Sequence, residues 1–127
     1  MNTNDESTAR EIFGELIYSY SRAEALADGV LVDVSERALC HGIKYPTACT
    51  HGVWALIETI EDPYPMLRPI QVLGRTDGVL VALLEAIRQA RGTDRVRFEA
   101  LGAWLYAVCG PGDTAAPVIT IMVEGED

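Results

Sequence analysis

No uninterrupted apolar run in the chain approaches the roughly 20 residues that a bilayer crossing requires, so no membrane-spanning helix is expected. The first residues, Met1-Asn2-Thr3-Asn4-Asp5-Glu6, are polar and acidic where a secretory signal is basic and then apolar. Cysteine is scarce. Cys40, Cys49 and Cys109 are an odd number without a closely spaced pair, which argues against a secreted disulfide framework and fits reduced thiols. These absences lead to the expectation of a cytoplasmic protein. Basic residues are also few: 10 Lys and Arg stand against 19 Asp and Glu, for a formal charge of −9. Such a field repels nucleic-acid phosphates and anionic lipid and favours basic partners, so direct nucleic-acid binding and membrane binding are not expected.

Apolar material is abundant. Hydrophobic residues make up 49% of 127 residues, enough for one domain spanning 1–127 that builds its core without metal or disulfides, with 1–8 and 124–127 as solvated tails. The charge is uneven. Residues 1–36 carry eight acids against two arginines, net −6, whereas residues 68–99 carry six arginines against four acids, net +2. Either the two zones neutralise each other across the fold or the acidic one faces a partner.

Thr8 with Glu11 fits a capping box, and Ile12, Phe13, Leu16, Ile17 and Tyr20 recur at helical spacing, although 17–20 also suits a short strand. Ser21 with Glu24 is a clearer box, opening a short helix that Gly29 closes before the apolar run 30–34. A second short helix is expected from a Ser35 cap to Gly42. A longer one is expected from Thr47, with Val53, Leu56, Ile57 and Ile60 as its buried stripe, stopping before Pro63. Residues 61–65 read as a helix-to-helix connection. The main helix is then expected from about Pro69 to Arg91, with Leu80, Leu83, Leu84 and Ile87 facing the core and Asp77-Gly78 as a kink or late start. Residues 95–100 alternate strictly, 103–109 are apolar throughout, Gly110-Pro111-Gly112-Asp113 supplies a turn and 118–123 gives a third strand. The architecture expected is α+β, with four or five helices packed on a C-terminal three-stranded antiparallel sheet. Both faces of the middle strand are apolar, so Trp104 and Leu105 are both expected to be largely buried, by helices or by a second subunit.

The run 18–35, YSYSRAEALADGVLVDVS, followed by Tyr45-Pro46, Val53-Trp54, Gly110-Pro111-Gly112-Asp113 and the segment 117–122, resembles an uncharacterised bacterial domain family whose members occur on plasmids, integrative elements and phages. The middle of the chain, 58–95, departs from that pattern. The resemblance implies a mobile-element origin and brings no catalytic residue with it.

Cys40, His41, Cys49 and His51 carry zinc-ligand side chains within 12 positions, but Cys40 and His41 are adjacent and neither CxxC nor HxxxH spacing occurs. A Cys–His nucleophile pair lacks any surrounding motif. The glycines at 110 and 112 do not form a phosphate loop, because a proline removes a donor and a strand follows. Ser19, Ser21 and Ser35 lack a GxSxG elbow, and the last two read as helix caps. No metal, cofactor or catalytic residue is therefore assigned, and the chain is not expected to be an enzyme. Glu58, Glu61 and Asp62 are more informative. They cluster at the end of a predicted helix, where the macrodipole disfavours negative charge, so an arginine such as Arg68 or Arg75 must offset them or a basic partner must meet them. With Glu24, Asp28 and Asp33 they form the expected partner-binding set. The functional expectation is a non-enzymatic, anti-CRISPR-like inhibitor that binds a basic nucleic-acid-binding surface of a host defence complex. The alternatives are a homodimeric accessory protein and a Cys/His enzyme.

Overall fold

The computed structural model describes residues 20–61 and 63–126. The capping box at Thr8 and Glu11, the 12–20 segment up to residue 19, the tail 1–8 and Asp62 lie outside them.

Ser21 and Gly29 bound the first helix of the described residues, α1 (Arg22–Asp28), as their chemistry requires. The Ser21 hydroxyl accepts the Glu24 backbone N–H at 3.0 Å, and Gly29 takes the left-handed conformation, φ 81°, that ends the helix. β1 (Leu31–Asp33) follows, then α2 (Ser35–Cys40). Ser35 is not the cap of α2. Its hydroxyl accepts the Thr47 N–H at 2.8 Å and donates to the Thr47 carbonyl at 3.2 Å, tying the start of α2 to the next strand. The Ser35 N–H is satisfied instead by the Asp33 carboxylate at 2.9 Å.

The helix expected from Thr47 begins four residues later. Thr47–Thr50 form β2, and α3 spans His51–Glu58, capped by the Thr50 hydroxyl on the Val53 N–H. Thr47, Ala48 and Cys49 are all buried, because β2 lies between two other strands with both faces covered. A single 3₁₀ turn, Pro65–Leu67, leads into α4 (Arg68–Gln89), which runs through Asp77 and Gly78 without a break. A mid-helix glycine costs about 1 kcal/mol, and buried Thr76, Val79, Leu80 and Leu83 on either side hold the turn in place.

The last three strands, β3 (Arg95–Ala100), β4 (Ala103–Pro111) and β5 (Pro117–Val123), pair as an antiparallel meander. They do not form the sheet alone, which overturns the expected three-stranded architecture. Among the described residues the α+β fold has four α-helices and a five-stranded mixed sheet in the order β1-β2-β5-β4-β3, with β2 and β5 parallel and every other pair antiparallel. β5 is central, so Ile119 and Ile121 gain a second neighbour in Thr47 and Cys49.

One face of the sheet carries Cys49, Phe98, Leu105, Ala107, Ile119 and Ile121, against which α2, α3 and α4 set Ala38, Val53, Ile57, Val79, Leu80 and Leu83. α1 takes the other face, where the Arg22 guanidinium donates to the Thr120 hydroxyl and the Ile119 carbonyl, both at 2.7 Å. Burial pushes that guanidinium down from its ordinary pKa, against the pull of Asp33 and Asp113. On this second face Trp104 does not behave as expected. It is 44% exposed while Leu105 is fully buried. Instead of a helix, Arg97 covers it, with the guanidinium carbon 3.8 Å from the ring centroid, and Arg95 covers Tyr106 in the same way at 4.3 Å. The C-terminal tail is also anchored as far as Glu126. The Glu126 carboxylate accepts the Thr50 hydroxyl at 2.6 Å, its carbonyl accepts the Tyr106 hydroxyl at 2.6 Å, and Glu124 pairs with Arg97. Among the described residues no helix is long and apolar enough to cross a membrane.

Candidate partner-binding surface

The end of α3 settles how its negative charge is offset. Arg75 donates to the backbone carbonyls of Ile57 at 2.9 Å and Leu56 at 2.7 Å, and Arg68 donates to the carbonyl of Glu58 at 2.7 Å. Two cations therefore sit on the negative end of the helix dipole and bond its terminal carbonyls, of which that of Leu56 also accepts the Thr59 N–H at 3.3 Å. They do so through the backbone and not through the carboxylates. Glu58 and Glu61 are exposed and form no ion pair among the described residues.

Beside them lies an apolar surface. Met66 is 81% and Ile70 69% exposed, and Tyr64, Leu67 and Leu73 are exposed around them. At 3.6 residues per turn Ile70 stands about 140° around α4 from buried Leu83, so this patch is not an extension of the core stripe. Exposed apolar groups gathered at one place and rimmed by polar residues mark interaction surfaces. Arg68 and Arg75 fasten this stretch of α4 to the end of α3, whereas Ile70 and Leu73 stand about 140° and 160° around the helix from Arg75, so these apolar groups project from a different side of α4 than the one that meets α3. Sequence reasoning missed the patch. The apolar residues between Pro63 and Gly74 were readable, but their exposure depends on how far the first turns of α4 reach beyond the sheet.

The other expected carboxylates form a separate group. Glu24 and Asp28 lie on α1, over the opposite face of the sheet from α3 and α4, and Asp33 ends β1. Each is engaged locally: Glu24 accepts the Ser21 hydroxyl at 3.1 Å, Asp28 the Tyr20 hydroxyl at 2.5 Å and Asp33 the Ser35 N–H. The bond to Asp28 pushes the Tyr20 phenol up to about 12. The six expected residues thus do not make one surface. Glu58 and Glu61 stand at the end of α3, Glu24, Asp28 and Asp33 stand elsewhere, and Asp62 is outside the described residues.

The cysteines and histidines are dispersed. Cys49 is buried in β2, and burial pushes its thiol up to about 12, the opposite of what a nucleophile needs. His51 is exposed at the start of α3, and Cys40 is exposed at the end of α2. His41 has its Nε2 3.0 Å from Asp77, whose two oxygens accept a fork from Arg37 at 3.0 and 2.7 Å. Arg37, followed by His41, holds the Asp77 carboxyl below the ordinary aspartate range. This cluster joins α2 to α4. Among the described residues no three His, Cys, Asp or Glu side chains converge as a metal site.

The turn expected at Gly110–Asp113 lies further on: Gly110 and Pro111 still pair with Val118 and Pro117 as the end of β4, and residues 112–116 form the hairpin loop to β5. Its Asp113 has a further task, accepting the backbone N–H groups of Arg22 at 2.7 Å and Ala23 at 3.0 Å at the start of α1. No protein-family model, no curated protein and no solved structure matches the chain.

Proposed function

We propose that the chain is a non-enzymatic protein-binding inhibitor from a mobile element, which acts in the cytoplasm by covering a basic, nucleic-acid-binding surface of a host defence complex in the manner of an anti-CRISPR protein. The observation that carries this reading is the α3–α4 junction, where Met66 and Ile70 are bare and where Glu58 and Glu61 are exposed and form no ion pair among the described residues. Interfaces combine a desolvated apolar anchor with a charged rim, and here the rim is acidic. Carboxylates suit a surface made for phosphates, because each accepts charge-assisted hydrogen bonds from arginine forks. The overall charge of −9 would speed the encounter with a basic partner. A sheet-edge homodimer is a weaker reading. The edge strand β3 carries exposed Arg95, Arg97 and Glu99 and the other edge, β1, has three residues, and both features discourage edge pairing.

The test is target-DNA binding by type I CRISPR surveillance complexes with the chain added at low and high salt. Competitive loss of DNA binding that is relieved by salt, by Glu58→Ala with Glu61→Ala and by Ile70→Glu is the expected result. Inhibition insensitive to the carboxylates and to salt would reassign binding to the apolar patch alone. If no defence complex is inhibited, the reading fails.

A further inference from the structure

A cavity of about 530 Å³ opens on the helix-covered face of the sheet, between the last turns of α4, the ends of β3 and β4, and the loop before β2. It arises because the apolar stripe of α4 outruns its cover. Leu80 and Leu83 are fully buried, but Ile87, one turn further on, is 38% exposed and faces the cavity. Ile43, Val96, Ala107 and Cys109 line the other sides. Two loops frame the mouth, and each turns at a glycine with positive φ, Gly42 at 89° and Gly92 at 67°. A side chain at either position would strain a backbone that shapes the opening.

The volume lies within the 300–1,000 Å³ of small-molecule sites, and the lining is mainly apolar with a few polar groups at the rim, as such sites are. Lys44 is one of those groups. It is the only lysine in the chain, it is exposed, and it forms no ion pair among the described residues. Asp94 also stands at the mouth without an ion pair among the described residues. One cation matches one negative charge, which favours a carboxylate over a dianionic phosphate.

We propose that this cavity binds a small apolar carboxylate, an aliphatic acid of medium chain length, with its chain between Ile87 and Val96 and its head at Lys44. The site is separate from the partner-binding surface and does not depend on it. Its lining is too apolar and its mouth too narrow in charged groups for a peptide backbone or a nucleotide, whose polar groups would lack partners.

The experiment is calorimetric titration of the full chain with octanoate, decanoate, decanol and decyltrimethylammonium, together with methyl NMR of the decanoate titration. Saturable binding is expected, about fourfold tighter for decanoate than for octanoate for each CH₂ added. Lys44→Gln should weaken decanoate by about threefold to fivefold, the worth of an exposed ion pair, and leave decanol unchanged. Asp94→Asn should tighten decanoate. Ile87→Trp, at the mouth, should abolish binding with the melting curve retained. Methyl shifts should be confined to the residues that line the cavity, among them Ile43, Leu84, Ile87 and Val96, in the unsubstituted protein, a readout that holds whether or not the tryptophan variant folds. Equal affinity for the three head groups, or indifference to Lys44→Gln, would overturn the carboxylate assignment. Shifts at Met66 and Ile70 instead, or the absence of saturation, would overturn the site.

Discussion

The guanidinium of Arg75 donates to the backbone carbonyl of Ile57 at 2.9 Å across the α3–α4 junction. This bond neutralises the helix end while leaving the neighbouring acidic side chains to solvent, and it fixes the position of the exposed apolar turn of α4 relative to them. Arg75→Ala removes two charge-assisted bonds from a part-buried site and strands the Ile57 carbonyl, while that of Leu56 keeps the Thr59 N–H. A loss of about 2 kcal/mol is expected in urea unfolding, with partial recovery in Arg75→Lys.

Asp113 caps α1 from a distance of some ninety residues in sequence, through the Arg22 and Ala23 N–H groups. Asp113→Ala should cost about 1 kcal/mol, the usual worth of a cap. Hydrogen exchange is the discriminating measurement. The amides of Arg22 and Ala23 should exchange faster while those of β4 and β5 keep their protection.

Asp77 sets an acid limit. Its carboxyl titrates below the ordinary aspartate range in the folded chain, mainly through the Arg37 fork and then through His41. The charged form is therefore favoured by folding, so its contribution is full above the ordinary aspartate range and is lost as pH falls through the folded value. The melting temperature of Asp77→Asn should lie below that of the unsubstituted chain at neutral pH, and the gap should close towards pH values below the aspartate range. A gap independent of pH would show that the cluster does not act through this charge.

The three free thiols should react at separate rates. Exposed Cys40 should take up iodoacetamide first, half-buried Cys109 more slowly, and Cys49 only on unfolding, since its thiol is pushed up to about 12 by burial. Mass spectrometry of partially alkylated protein reads the order, and Cys40→Ser should remove the fast phase alone.

Trp104 should be quenched by acrylamide in a Trp54→Phe background, being 44% exposed. Arg97→Ala should increase that quenching and cost less than about 1 kcal/mol, the worth of a cation–π contact at an exposed site.

Local chemistry was legible in the sequence wherever a few neighbouring residues decide the outcome. Ser21, Glu24 and Gly29 delimit α1 through bonds that span three or four positions, the strict alternation of 95–100 makes a strand, and a hairpin joins β4 to β5, although its loop is 112–116 and not 110–113. The need for a cation at the end of α3 was likewise legible, because a helix dipole is a property of the helix alone. Tertiary structure decided the rest. β1 and β2 are too short, three and four residues, to show a period, and the parallel pairing of Thr47 with Ile119 joins segments that no local pattern relates. The same holds for the sites. Whether Arg68 and Arg75 reach carboxylates or carbonyls, whether Ile70 is bare while Leu83 is buried, and whether Ile87 meets a neighbour or a cavity all depend on where α4 lies on the sheet. Amphipathic periodicity states that a helix has an apolar face, but only the packed fold determines how much of that face finds cover.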